Sequence, residues 1–146
     1  MRIVIGSDHG GIHLKETVKK VLHELGMEVA DVGCDGTDSV DYPDYAQPVA
    51  EKVAQGEFDR GILICGTGIG MSIAANKVKG IRCAVVSDEY SARMSREHNQ
   101  ANVLALGERV VGPGLAENIV RIWLTTEFAD GRHHRRVDKI AALEGK

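Results

Sequence analysis

The segment Gly61-Ile62-Leu63-Ile64-Cys65-Gly66-Thr67-Gly68-Ile69-Gly70 joins an unbroken apolar run to a glycine-rich turn. The run from Gly61 to Cys65 is apolar on both faces. Such a strand belongs in the middle of a parallel sheet, with helices above and below it. Met71, Ala74, Ala75 and Val78 follow at helical spacing. The turn lets successive backbone N–H groups converge on one point, and the helix after it adds its positive N-terminal end. A phosphate or a developing oxyanion suits such a cradle, and Cys65 at its edge sits in a field that favours thiolate. The spacing is GxGxG and not the dinucleotide GxGxxG, it follows the third strand rather than the first, and no ribose-binding acid lies ~20 residues on. A small anionic ligand therefore fits better than a nucleotide. A tight turn beside a core cysteine is the plainer alternative.

The same alternation extends in both directions. Ile3–Ile5 reads as a buried strand, and Leu14, Val18, Val21, Leu22 and Leu25 stripe one helical face that Gly26 would cap. Val29–Val32 is a weaker strand, interrupted by Asp31. Cys34–Asp44 is a loop that Pro43 ends, and Tyr45–Gln55 is helical, with Pro48 expected in its first turn. Cys83–Val86 and Val103–Leu106 are further strands. Asp88 suits the N-cap of a helix running to about Asn99. Leu115, Ile119, Ile122 and Trp123 stripe another helix, and Arg132–Leu143 a last one. Five strands alternating with helices predict a doubly wound α/β sheet in one domain over residues 1–146, with ligands beyond the carboxyl ends of the strands.

Composition sets the outer limits. The chain has 146 residues, 43% hydrophobic and 27% charged, with a net charge of −3. These values suit one soluble globular domain and offer no basic nucleic-acid surface. Cys34, Cys65 and Cys83 form no CxxC, which argues against a disulfide framework or a zinc ribbon. Met1 leads straight into Arg2-Ile3-Val4-Ile5, unlike a secretory leader. No apolar run approaches the ~20 residues of a membrane span. A cytoplasmic, reduced protein is expected.

Several polar groups fall at strand ends. Asp8 and His9 sit on the glycine-framed turn after the first strand, either as a clamp for a sugar hydroxyl and a phosphate or ring oxygen, or as a helix cap and a surface histidine. His9 and His13 have the i, i+4 spacing of a metal pair, but no third ligand is evident, and no metal site is expected. His98 ends the fourth helix and reads as a packed or capping residue unless it faces the Cys65 loop. Arg109 follows the fifth strand. Arg132 and Arg136 share one helical face, matching a phosphate dianion or a solvated basic patch. A thiol, an imidazole, an acid, an anion cradle and an arginine pair fit proton abstraction beside a carbonyl on a phosphorylated small molecule, with no cofactor.

Longer stretches carry a resemblance. SDHGG at Ser7–Gly11, DYPDYA at Asp41–Ala46, ILICGTGIGMSIAANK at Ile62–Lys77, YSARMSREHN at Tyr90–Asn99, NVLALGERVVG at Asn102–Gly112 and GRHHRRV at Gly131–Val137 appear in order along nearly the whole chain. Together they resemble the type B ribose-5-phosphate isomerases of the ribose/galactose isomerase family. The resemblance implies a three-layer α/β/α sandwich on a five-stranded parallel Rossmann-like sheet. It implies metal-independent interconversion of ribose 5-phosphate and ribulose 5-phosphate through a cis-enediolate, in the pentose phosphate pathway. Cys65 matches the acid/base, His98 the ring-opening residue, and Thr67 a group beside the reacting oxygens. Gly66, Thr67, Gly68, Ile69 and Gly70 match the anion hole, Asp8, His9 and Asn99 the sugar contacts, and Arg109, Arg132 and Arg136, with His9, the phosphate end. Family members are homodimers, some pairing into tetramers, with each site built from two chains. The C-terminal helix is expected to cross to the partner. The alternatives are the same chemistry on allose or galactose 6-phosphate, and a non-catalytic phospho-sugar-binding regulator.

Overall fold

The structure is a computed structural model that describes residues 1–145. Five parallel strands, β1 (Arg2–Ser7), β2 (Glu28–Asp31), β3 (Arg60–Cys65), β4 (Cys83–Val85) and β5 (Val103–Gly107), form one sheet in the order β2-β1-β3-β5-β4. The doubly apolar run is the central strand, as its two buried faces require. The interrupted run is an edge strand. There Asp31 ends β2 and accepts from the Lys15 and Lys19 ammoniums, each at 3.0 Å.

Six helices connect or follow the strands: α1 (Ile12–Glu24), α2 (Pro43–Ala54), α3 (Ile69–Ala75), α4 (Glu89–Glu97), α5 (Pro113–Thr125) and α6 (Arg132–Leu143). Side chains alternate across the sheet, so its two faces build two cores. Ile3, Ile5, Ile62, Ile64, Leu104 and Leu106 pack against α1, α5 and Ala92 of α4. Val4, Leu63, Cys65 and Ala105 pack against α2 and α3. The result is the expected three-layer sandwich. Among the described residues no helix is long and apolar enough to cross a membrane.

Local details differ from the sequence reading. Helix α2 begins two residues earlier, with Pro43 in its first turn, where a missing N–H is harmless. Pro48 consequently lies inside the helix, in its second turn, and not in the first. Helix α1 is capped by Leu25, with Gly26 one residue beyond at φ +75°. Helix α3 stops at Ala75, so Val78 packs on the second core from outside the helix. Helix α4 stops at Glu97, with His98 as its C-cap. Asp88 caps α4 by accepting from the Ser91 N–H at 2.6 Å.

The chain turns back on itself at β1. It steps outward to β2, then returns past β1 to β3, so α1 and α3 leave on opposite faces. The Asp8 N–H donates to the Ile64 carbonyl, so the loops after β1 and β3 lie side by side at the carboxyl ends of their strands, where an open α/β sheet offers its ligand crevice.

Candidate active site

The loop after β3 forms one wall of this crevice. The Cys65 side chain is nearly buried, and its Sγ accepts from the Gly68 N–H at 3.1 Å. Thr67 is exposed, and its Oγ1 accepts from the Ile69 N–H at 3.2 Å. Gly68 has φ +81°, which turns the loop sharply enough for its N–H to reach back to the sulfur. The β5 end locks the loop from behind. Glu108 N–H donates to the Cys65 carbonyl at 2.9 Å, and Arg109 N–H to the Gly66 carbonyl at 3.0 Å. Gly107 admits this approach, since a Cβ there would lie 2.6 Å from the Thr67 backbone.

Asp8 and His9 form the facing wall. Asp8 is nearly buried, and its Oδ1 accepts from the Gly10 N–H at 2.8 Å. Its N–H donates to the Ile64 carbonyl, which ties this turn to β3. Asp8 is therefore a helix cap at the carboxyl end of β1. His9 Nδ1 accepts from the Val40 N–H at 3.1 Å. That bond leaves the ring proton on Nε2 and supplies a fixed donor. The Arg109 side chain lies along Gly66, whose added Cβ would come within 3.4 Å of the guanidinium. Asp8, His9, residues 66–70 and Arg109 therefore gather at one edge of the sheet.

His98, Asn99, Arg132 and Arg136 do not join them. Helix α4 runs from the carboxyl end of β4 back to the amino end of β5, so its C-cap His98 lies at the opposite edge. Asn102, just beyond, accepts from Gly61 at the start of β3. Cys65 ends that same strand, about 13 Å away at ~3.3 Å per residue. Helix α5 runs back the same way, and Ala129 after it donates to the Glu97 carbonyl. Helix α6 thus starts beside His98, with the His98 and His133 rings stacked 4.2 Å apart at 8°. Arg132 and Arg136 lie exposed on its first turns. Helix α6 buries only Val137, and leaves Ile140 and Leu143 exposed along a groove of about 490 Å³ beside Ile81 and Ala84.

The three thiols differ. Burial pushes the Cys83 thiol up to about 12, so it stays protonated. Cys34 is buried in the loop after β2, and its carbonyl accepts from the buried Lys15 ammonium at 2.6 Å. Only Cys65 faces the crevice loop. Among the described residues no three His, Cys, Asp or Glu are grouped to hold a metal. His13 is exposed, and His9 is committed to Val40.

Two further residues reach this edge without any local signal in the sequence. The Tyr42 ring lies on Gly70, where an added Cβ would be 2.6 Å from it, so the loop before α2 covers the start of α3. Glu108 Oε1 accepts from the Leu14 N–H at 2.7 Å and caps α1 from β5. Both contacts join segments far apart in sequence.

A doubly wound sheet carrying a thiol on a glycine-rich loop, with an acid and an imidazole beside it, suits a protein that handles a small anionic substrate. The chain belongs to the ribose/galactose isomerase family, whose model matches residues 3–140. It is a sugar phosphate isomerase of that family. It is 53% identical to ribose-5-phosphate isomerase B of Escherichia coli (strain K12), over 98% of this chain and 96% of that one. It is 46% identical to a D-erythrulose-4-phosphate isomerase of Pectobacterium atrosepticum, over 99% and 95%. The structure of Clostridium thermocellum ribose-5-phosphate isomerase B superposes with a TM-score of 0.98 at 61% identity, covering 99% and 98% of the two chains. That of ribose-5-phosphate isomerase B from Mycoplasma genitalium, with bound ribulose-5-phosphate, gives 0.96 at 44%, covering 99% and 97%.

Proposed function

We propose that this protein interconverts ribose 5-phosphate and ribulose 5-phosphate, without metal or other cofactor, through a cis-enediolate. The observation that carries this reading is the Cys65 sulfur held by the Gly68 N–H inside the 66–70 loop. Binding alone needs no thiol at an anion hole, whereas proton transfer does.

In the open-chain aldose, Cys65 takes the proton from C2. Charge then develops on O1, toward the amides of Gly66, Thr67, Gly68, Ile69 and Gly70. The Gly68 and Ile69 N–H groups, bonded to the Cys65 sulfur and to Thr67 Oγ1 in the free protein, share their protons with O1 as it charges, and removing one such donor costs ~10²–10³-fold in rate. Thr67 sits beside the two oxygens and passes a proton between them, while Asp8 holds a sugar hydroxyl. Cys65 returns its proton to C1, giving the ketose. A positioned acid–base group contributes ~10²–10⁴-fold.

The remaining groups enter from a second copy of the chain. One chain carries Cys65 and His98 at opposite edges of its sheet, so an antiparallel homodimer brings the edges of two copies together and forms two equal sites. The exposed apolar side chains of α6, with Ile69 and Ile73 on α3, support that contact. In each site the partner contributes His98 to open the furanose ring and Asn99 to hold the sugar. Arg132 and Arg136 of the partner, with Arg109 and His9, hold the phosphate. Pairs of dimers would give a tetramer. Ionised sugar phosphates do not cross a bilayer unaided, which supports a cytoplasmic role in the pentose phosphate pathway.

A second reading, the same chemistry on a four-carbon sugar phosphate, is favoured by the D-erythrulose-4-phosphate isomerase relative. The test is product formation from ribose 5-phosphate, D-erythrulose 4-phosphate and allose and galactose 6-phosphates, with chelator present. Wild type and Cys65→Ala are run side by side. Wild-type preference for ribose 5-phosphate, lost in Cys65→Ala, is expected. Preference for another sugar moves the substrate assignment, and no turnover of any leaves a binding module.

A further inference from the structure

We propose that His133 is a positioning residue for the isomerisation, fixing the ring plane of His98 by stacking on it. The inference rests on the ring-opening role proposed for His98.

His98 is the C-cap of α4, beyond the last helical turn, and is half-buried. Among the described residues neither of its ring nitrogens has a hydrogen-bond partner. Its orientation comes instead from the His133 ring, parallel to within 8° at 4.2 Å. A stack of this kind fixes the plane and leaves both nitrogens of His98 open at the ring edge for a sugar hydroxyl. A hydrogen bond to either nitrogen would fix the ring equally well but occupy an atom the reaction uses.

The surroundings keep His133 suited to this task. Burial, then the facing His98, Arg132 and Arg136 hold it below the usual histidine range, against Glu97. A neutral ring stacks on His98 without repelling a proton that His98 acquires. His134, the next residue, is engaged differently, bridging Asp130 and Asp138 along α6. The adjacent histidines thus divide their work, His134 bracing the start of α6 and His133 facing α4.

The two substrates separate the effects. Ribose 5-phosphate closes to a furanose and must be opened. D-erythrose 4-phosphate, the four-carbon aldose, cannot close to a furanose, because its C4 oxygen is esterified. His133→Ala is expected to lower kcat from ribose 5-phosphate about tenfold, part of the ~10²–10⁴-fold a positioned acid–base group supplies. KM should change less than about twofold, and conversion of D-erythrose 4-phosphate should fall far less. His133→Phe, which keeps a flat neutral ring, should restore most of the loss. Equal losses on both aldoses, no loss at all, or failure of His133→Phe to rescue a folded variant would overturn the proposal. His98→Asn is the companion. If it keeps full conversion of ribose 5-phosphate, the reading of His98 itself fails. If it loses that conversion and His133→Ala does not, only the stack is wrong.

Discussion

The Gly68 N–H donates to the Cys65 sulfur from within the turn that Cys65 begins. Three residues of glycine-rich backbone suffice to bring an amide back onto the side chain at the end of the central strand. The thiol is therefore aimed by its own loop, and the loop is held by β5 through Glu108 and Arg109.

Cys65→Ser should keep sugar phosphate binding and lose turnover by ~10²–10⁴-fold. Binding by calorimetry and turnover by ketose formation separate the two. An alkylating reagent should inactivate wild type, with bound substrate protecting Cys65. Cys83, whose thiol burial holds at about 12, should stay unmodified. Inactivation that tracks Cys34 or Cys83 by mass spectrometry would remove Cys65 from the chemistry.

Gly107→Ala tests the lock on the loop. Its Cβ would lie 2.6 Å from the Thr67 backbone, so Thr67 and its neighbours must shift. A shift near 1 Å in a reacting group costs ~10²-fold in rate. Activity should fall on that scale in a protein that still melts cooperatively.

Glu108→Ala removes the acceptor for the Leu14 N–H. Loss of a cap costs about 1 kcal/mol, and the turn carrying Asp8 and His9 loosens against β5. A lower melting temperature together with a lower kcat is expected. Glu108→Gln, which keeps an acceptor oxygen, should recover most of both.

The edge of the sheet has a pH signature. Burial works against the Asp31 charge, but the Gly33 N–H and the Lys15 and Lys19 ammoniums outweigh it and hold the carboxyl below its ordinary range. Its folded pKa is lower than its unfolded one. The stability it contributes is thus complete above the unfolded value of about 3.9, and is lost as pH falls through the folded value. Thermal melts from pH 6 to pH 2 should show a steep acid decline that Asp31→Asn makes shallower. Equal slopes would mean the triad contributes nothing.

Subunit exchange tests the shared site. Cys65→Ala and His98→Asn dimers are each expected to convert ribose 5-phosphate poorly. After mixing and reassembly, random pairing puts half the chains into mixed dimers with one intact site each, giving about a quarter of wild-type activity. No recovery in a sample that sedimentation shows to have exchanged would mean each chain builds its own site.

Much of this was legible along the chain. Strands appeared as apolar runs and helices as 3.6-residue stripes, because burial on a sheet or a helix face imposes those periods locally. The place of Pro48 is not legible locally: a proline interior to a helix is normally costly, yet α2 takes its start from Pro43 and carries Pro48 inside. Tyr42, Glu108 and the Val40 partner of His9 left no local trace, since each acts across tens of residues.

By itself the sequence determined the alternating elements, the central strand and the glycine turn that carries Cys65. All of these follow from neighbours within a few residues. Only the tertiary structure decided which candidates share a place. The parallel β4–β5 pair forces α4 to run backwards, and α5 packs beside it, which carries His98 and the start of α6 to the edge opposite Cys65. Spacing along a chain records no direction in space, so six residues of β3 separate groups whose motifs read as one set.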